Sequence, residues 1–163
     1  MTAYFYNCTS FSFSNPTNSF NSGGSITYSY FRNCTAGNDS FGYNCPDLFE
    51  SDFVNCVGET RAFASGASTV IQGNDSALEN SSVFFINCTA IQNSFGYNTS
   101  AYGTYINCVG AEGSFGGGSG TLRGILFNCS LRTWDSSSNF PNPSGVGKIV
   151  NSLRGNGTLV NLP

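Results

Sequence analysis

The stretch Phe31-Arg32-Asn33-Cys34 decides the fold, because its order of apolar residue, variable residue, Asn and Cys returns along the whole chain. The other copies end at Asn7-Cys8, Asn55-Cys56, Asn87-Cys88, Asn107-Cys108, Asn128-Cys129 and, in a degenerate form, Asn151-Ser152. The steps between successive Cys positions are 26, 22, 32, 20 and 21 residues, and the step to Ser152 is 23. A basal period of 20 to 23 residues with insertions indicates a stack of equivalent coils.

Two apolar positions keep a fixed distance from this Asn-Cys pair. The first lies two residues before the Asn and holds Phe5, Phe31, Phe53, Phe85, Tyr105, Leu126 and Ile149. The second lies seven residues after the Cys and holds Phe41, Phe63, Phe95 and Phe115, with Leu159 at the same offset in the last copy. The first coil and the coil that contains Trp134 break this second rule. Fixed offsets predict ladders of Phe, Asn and Cys side chains, with a rise of about 4.8 Å per coil.

The Asn position predicts a corner in each coil. In a plain strand, residues two apart share a face, which would place Arg32 and Cys34 together in one buried stripe. Asn tolerates the left-handed conformation better than most residues, so a bend at Asn33 resets the alternation. The aromatic residue and the Cys then point inward, and stacked Asn side chains hydrogen-bond between coils.

These observations predict an all-β fold, a right-handed parallel β-helix (β-solenoid) of about seven coils of 20–23 residues. The chain is read as a single domain, 1–163. Regular coils occupy 1–133, with insertions near 10–28 and 64–82. An irregular loop at 134–147 precedes the last coil and a C-terminal cap at 148–163.

Composition excludes several classes of function. Charged residues make up only 9% of the chain and the six basic residues are scattered, so we expect no nucleic-acid partner. Polar residues interrupt every apolar stretch, so we expect no membrane insertion. The seven Cys residues form no Cys-x-x-Cys pair and His is absent, so we expect no metal and no cofactor.

The cysteines and the first residues indicate where the chain is made. The first residues lack the basic and apolar regions of a signal peptide, and buried free thiols suit a reducing cytosol. A disulfide between neighbouring coils remains an alternative, and Cys45 lies off the ladder. Glycosylation sequons are interpreted as incidental, because a glycan on the Asn ladder would displace the stack; they begin at Asn7, Asn33, Asn38, Asn74, Asn80, Asn87, Asn98, Asn128 and Asn156.

Candidate chemical sites are few. Asp47, Glu50 and Asp52 form the one dense acidic cluster, and a solvated loop explains it better than an active site. We therefore expect no catalytic residues and no enzyme. The lone Trp134 is a candidate glycan contact, and its alternative role is a plug over the interior of the last coil.

The residue before each Asn is apolar in most copies, although the predicted corner makes it face outward. Tyr6, Val54, Ile86, Ile106, Phe127 and Val150 form this candidate interface stripe, with Arg32 at the remaining position. The position after the Cys holds Thr9, Thr35, Val57, Thr89, Val109, Ser130 and Leu153. The apolar, β-branched character of both rows has two alternative explanations, which are strand propensity and a contact surface. The threonines also suggest an ice-binding surface, but the sequence contains no Thr-x-Thr array.

The aromatic-x-Asn-Cys and Ser-Phe-Gly steps, from Phe5 to Leu159, resemble the right-handed parallel β-helix repeats of bacteriophage tail fibres and tailspikes, and of bacterial surface adhesins. These are pectin-lyase-like solenoids. The resemblance implies a non-enzymatic structural or receptor-binding β-helix in a virion tail fibre or similar surface appendage. It further implies self-association as a trimer or stacked fibre, and contact with cell-surface carbohydrate. The alternatives are a polysaccharide-degrading enzyme and an ice-binding or adhesive solenoid.

Overall fold

The computed structural model describes residues 2–10, 20, 26–42, 44, 48–63, 83–96, 103–111, 113–116, 121–132, 147–154 and 157–162. Within these residues every regular element is a short strand. The strands are β1 (Ala3–Tyr6), β2 (Thr9–Ser10), β3 (Ile26–Thr27), β4 (Ser29–Arg32), β5 (Thr35–Ala36), β6 (Leu48–Phe49), β7 (Asp52–Val54), β8 (Phe84–Ile86), β9 (Thr104–Ile106), β10 (Val109–Ala111), β11 (Ile125–Phe127), β12 (Ser130–Arg132), β13 (Lys148–Leu153) and β14 (Leu159–Leu162).

The strands that precede the Asn corner stack into one parallel sheet in the order β1-β4-β7-β8-β9-β11-β13. Their register places each inward apolar residue beside its counterpart one coil away, for example Phe53 beside Phe31 and Phe85. A second parallel row follows the corner, because Thr35 pairs with Thr9 and Val57. The all-β parallel solenoid expected from the repeat is therefore confirmed. Its right-handed sense remains the expectation for parallel crossovers.

The solenoid has about four turns, fewer than the seven predicted from the copies of the motif. Four described coils carry the Phe that follows the Cys at the fixed offset, namely Phe41, Phe63, Phe95 and Phe115. The copies at Asn7, Asn128 and Asn151 contribute a strand to the sheet without a Phe at that offset. Counting Asn corners therefore overestimates the number of turns, because a single strand is enough to supply a corner.

The last copy does not complete a coil, because the chain reverses direction. β14 pairs antiparallel with β13, opposing Val160 to Ser152 and Leu159 to Leu153. Leu159 is 56% exposed, whereas Val160 is buried. The prediction that Leu159 continues the inward Phe ladder is therefore wrong. The repeat offset applies to a parallel coil, and the antiparallel turn at Gly157 moves the inward position on by one residue.

Two aromatic ladders fill the interior. Phe5, Phe31, Phe53, Phe85 and Tyr105 stack face to face with ring centroids 4.6–5.0 Å apart. The rings of the second ladder stack at 4.8–5.0 Å and meet the first ladder edge to face at 5.6–5.9 Å. Both arrangements are favoured by the ring quadrupole. The interior is thus filled by two stacks of rings that pack edge to face against each other, and it is not a channel.

The second ladder has a member that the sequence pattern does not predict. Phe20 stacks on Phe41 with a centroid distance of 5.0 Å and meets Phe5 and Phe31 edge to face. It lies twelve residues after Cys8 instead of seven. The first coil therefore supplies a ring to the second ladder in spite of its different spacing.

The Phe residues of the second ladder also form a corner. Phe41, Phe63, Phe95 and Phe115 have φ of 48–59°, in the left-handed region that bulky residues rarely adopt. Gly42, Gly96 and Gly116 follow three of them, also at positive φ. Because the rings are fully buried and stacked, packing holds the backbone in this conformation.

Candidate interaction surface beside the asparagine ladder

The Asn residues form the predicted corner and ladder. All seven, from Asn7 to Asn151, have φ of 49–54°. Nδ2 of Asn33, Asn55, Asn87 and Asn107 donates to Oδ1 of the Asn one coil earlier, at 3.1–3.2 Å. The Asn ladder lies on the surface, and its side-chain amides hydrogen-bond to one another along the stack. It also has a direction, since every bond in this series points toward the N-terminal coil.

The Cys thiols lie immediately inside this corner. Cys34, Cys56, Cys88, Cys108 and Cys129 are buried and free, and Cys8 is half-buried. Each of the five buried thiols donates to the carbonyl of the first-ladder residue one coil earlier, for example Cys88 Sγ to Phe53 O at 3.2 Å. Burial raises the pKa of Cys34 and Cys88, which keeps these donors protonated. The sequence predicts the buried Cys ladder but not these hydrogen bonds from each thiol to a carbonyl of the preceding coil.

Outside the corner, the outer stripe is defined by Tyr6, Val54, Ile86, Ile106, Phe127 and Val150. Sheet pairing places Val54, Ile86, Ile106, Phe127 and Val150 side by side in consecutive coils, and Arg32 separates Tyr6 from Val54. Tyr6 and Phe127 are 55% and 41% exposed, and the others are half-buried. From Val54 to Val150 the stripe is thus a continuous apolar ridge, and Arg32 interrupts it before Tyr6.

A neighbouring row widens this surface, and the sequence analysis missed it. Two residues before each stripe position lie Tyr4, Tyr30, Asp52, Phe84, Thr104, Ile125 and Lys148. The rings of Tyr4 and Tyr30 stack at 5.0 Å, and Phe84 and Ile125 are exposed. Alternation along the strand would have revealed the row, because residues two apart share a face.

Beyond the corner, the row after each Cys is also in register. Thr9, Thr35, Val57, Thr89, Val109, Ser130 and Leu153 pair from coil to coil. Val57 and Leu153 are 45% and 42% exposed. The Val residues interrupt the threonines, so the row alternates hydroxyl-bearing and purely apolar side chains. Apolar surface therefore flanks the Asn ladder on both sides.

Two members of the acidic cluster, Glu50 and Asp52, lie in the described part of the chain. Asp47 lies outside the described residues, as do Cys45 and Trp134. Asp52 is on the outer face of β7, where its partners in the register are Tyr30 and Phe84. Desolvation raises the pKa of Asp52, and Arg32 opposes this. Within the described part of the chain, no three metal-ligating side chains converge.

One ion pair occupies another corner position. Arg61 Nε lies 2.7 Å from Asp39 Oδ1, and Arg61 Nη2 donates to Asp39 Oδ2 at 2.8 Å. Both residues have positive φ, and the residues at the same place in the next coils are Asn93 and Gly113. The ion pair thus links two coils at a corner where the next coils have Asn or Gly, which suit the left-handed conformation. Its contribution is structural.

The sequence matches no protein-family model, and no curated protein matches it at a significant level. In the described residues no helix is long and apolar enough to cross a membrane. The β-solenoid is therefore established by the structure itself. Its resemblance to fibre and adhesin repeats remains a matter of the repeat pattern.

Proposed function

We propose that the chain is a non-enzymatic structural or receptor-binding β-solenoid of a virion tail fibre or a similar surface appendage. The observation that carries this proposal is the outer stripe together with the row that contains Phe84. All-parallel sheets in proteins usually have both faces covered. Here one face packs on the aromatic interior, and the other carries an in-register apolar ridge. Contiguous apolar surface of this kind marks a contact with another molecule.

Self-association along the outer stripe follows from this surface. Copies that pack side by side would cover the ridge over its whole length, as expected for a trimeric or bundled appendage. The side chains of the stripe are short and branched or aromatic, so little conformational entropy is lost when they are buried. The Asn ladder and the row that contains Val57 would stay accessible at the rim, where contact with host glycans is part of this proposal.

Light scattering coupled to size-exclusion chromatography tests self-association. We expect the wild-type chain to form a defined multimer, with a trimer as the leading case, and Ile86→Glu to shift it to monomers. Ile91→Glu is the matched control, because Ile91 lies in the same coil, is 58% exposed and is outside the stripe. A wild-type chain that stays monomeric at about 100 µM, far above the Kd of about 1 µM typical of weak specific pairs, would contradict the proposal.

A polysaccharide-degrading activity is the second candidate, and Asp52 favours it. A half-buried carboxyl with a raised pKa, which lies between Tyr30 and Phe84 on the outer face, would serve as the proton donor to a glycosidic oxygen. Release of reducing ends from bacterial polysaccharides, lost in the Asp47, Glu50 and Asp52 triple Asn/Gln variant, would support the enzyme. Turnover that survives this triple change would place the activity elsewhere.

A further inference from the structure

The apolar ridge from Val54 to Val150 has a defined centre. It crosses consecutive strands of the main sheet in the order β7, β8, β9, β11 and β13. The middle strand, β9, contributes Ile106 to the ridge. Arg32 ends the apolar run on the side of β4. The ridge therefore extends equally far on both sides of Ile106.

The neighbouring row on the same face carries one charge of each sign at the ends of this ridge. Asp52 lies in β7 and is half-buried, and Lys148 lies in β13 and is exposed. The strands between them contribute uncharged residues to this row, namely Phe84, Thr104 and Ile125. Arg32 is close enough to lower the pKa of Asp52, but no salt bridge joins Asp52 or Lys148 to another described residue.

The centre of the ridge and the positions of the two charges select the same symmetry for a pair of copies that pack outer face to outer face. A two-fold axis along the solenoid would keep the order of the coils and would set Asp52 against Val54 or against its own copy. An axis parallel to the strands reverses the order of the coils and sets each row against itself. Placed at β9, this axis brings Asp52 of one copy opposite Lys148 of the other, and it lays the ridge on itself over its full length.

We propose that the outer face binds the same face of a second copy with the order of the coils reversed, about a two-fold axis that runs parallel to the strands through β9. Every contact then occurs twice, as in any two-fold interface. Asp52 pairs with Lys148 of the other copy at both ends, Ile86 packs against Phe127, and Ile106 meets its own copy. The two sheets lie about 10 Å apart, the usual spacing of stacked sheets.

This geometry rests on the self-association proposed above and specifies it. It makes pairs of chains, whereas the resemblance to fibre repeats implies a trimer or a stacked fibre. The two rows on the five strands contribute about ten side chains per copy, fewer than the roughly 20–30 of a standard interface, so we expect a Kd in the micromolar range.

Reversal of the two charges tests which residues face each other. Sedimentation equilibrium at low salt measures the Kd of the wild-type pair. Asp52→Lys and Lys148→Asp should each raise this Kd by about tenfold or more, because each sets like charges against each other at both ends. The two changes together restore opposite charges and should return the Kd toward that of the wild type. Glu59→Lys is the control, because it makes the same change of charge beyond the Asn corner.

Cross-linking tests the position of the axis without reversing a charge. Thr104 lies on the proposed axis, so a short thiol cross-linker, bis-maleimidoethane, should join two copies of Thr104→Cys into a covalent dimer. Asp52→Cys alone should not be joined, because its two copies lie about 19 Å apart. An equimolar mixture of Asp52→Cys and Lys148→Cys should be joined. The wild-type chain measures the background from the native thiols.

The outcomes separate this geometry from self-association in general. A wild-type dimer with both the charge dependence and this cross-linking pattern supports the proposal. A trimer, or a dimer that Thr104→Cys does not cross-link, overturns the geometry and leaves self-association along the outer stripe intact. A wild-type chain that stays monomeric at about 100 µM overturns both.

Discussion

Asn55 donates its Nδ2 to Oδ1 of Asn33 at 3.1 Å while its own Oδ1 accepts from the next coil at the same distance. Asn55 therefore has two roles, since its left-handed backbone makes the corner and its side chain joins three coils. The two roles are separable by comparison with Asn44, which is exposed and has φ of 49° but is outside the ladder.

Asn55→Ala should destabilise the fold by about 2–4 kcal/mol, the sum of two hydrogen bonds and the cost of a left-handed Ala. Asn44→Ala should cost only about 1–2 kcal/mol, because it removes the backbone preference without removing a bond of the Asn ladder. Urea unfolding followed by circular dichroism measures both. Equal costs for the two changes would show that the amide ladder adds no stability.

Phe95→Ala should cost about 3–5 kcal/mol, because it removes a fully buried ring that stacks on Phe63 and Phe115. Phe84→Ala removes the same side chain from the outer face, where 37% of it is exposed, and should cost far less in a monomer. The comparison uses the same unfolding assay. Similar losses would contradict the assignment of Phe95 to the interior and of Phe84 to the outer face.

Tyr105→Phe should leave stability unchanged or raise it by about 1 kcal/mol. The hydroxyl of Tyr105 is fully buried and forms no hydrogen bond of good geometry among the described residues, where the backbone of Gly103 is its one polar neighbour. The same ladder position holds Phe in the preceding coils. Tyr30→Phe, at a half-buried position on the outer face, is the control. A loss above about 1 kcal/mol in Tyr105→Phe would instead reveal a bonded hydroxyl.

Asp52→Asn should stabilise the chain progressively, relative to wild type, as pH rises from about 3 to 7. Desolvation raises the folded-state pKa of Asp52, so folding favours the protonated carboxyl. Its stabilising contribution is complete below the unfolded pKa of about 3.9 and is lost as pH rises through the folded pKa. Urea midpoints at several pH values measure the difference. A difference that stays constant with pH, or that Glu59→Gln reproduces, would contradict this assignment.

The sequence predicts the sheet well because each Asn corner and its neighbours obey one fixed local rule. The left-handed corner at Asn55 follows from the intrinsic tolerance of Asn, and the burial of Cys88 follows from its place in the repeat. The left-handed Phe95 does not follow, because tertiary stacking overrides the preference of a bulky residue. The outward position of Leu159 does not follow either, because an offset along the sequence does not show where the chain reverses direction.

The candidate surface is predictable in part. The outer stripe appears in the sequence once the corner is placed, but its neighbouring row was missed because Tyr4, Asp52 and Lys148 share no chemical character. The bidentate pair of Asp39 and Arg61 also lacked a signal, since the two residues are 22 positions apart in sequence. Occupancy of the surface depends on a second molecule, which a single sequence does not encode.

Uneven coil length has a practical consequence. The Asn corners at 55 and 87 are separated by 32 residues and those at 87 and 107 by 20, yet the amide bonds across these steps are 3.1 and 3.2 Å long. The Asn corners and the sheet keep a constant spacing between coils, although the connections between the corners vary in length. A connection that is 12 residues longer therefore leaves the amide ladder in register, which makes the solenoid a scaffold that accepts connections of different length between its coils.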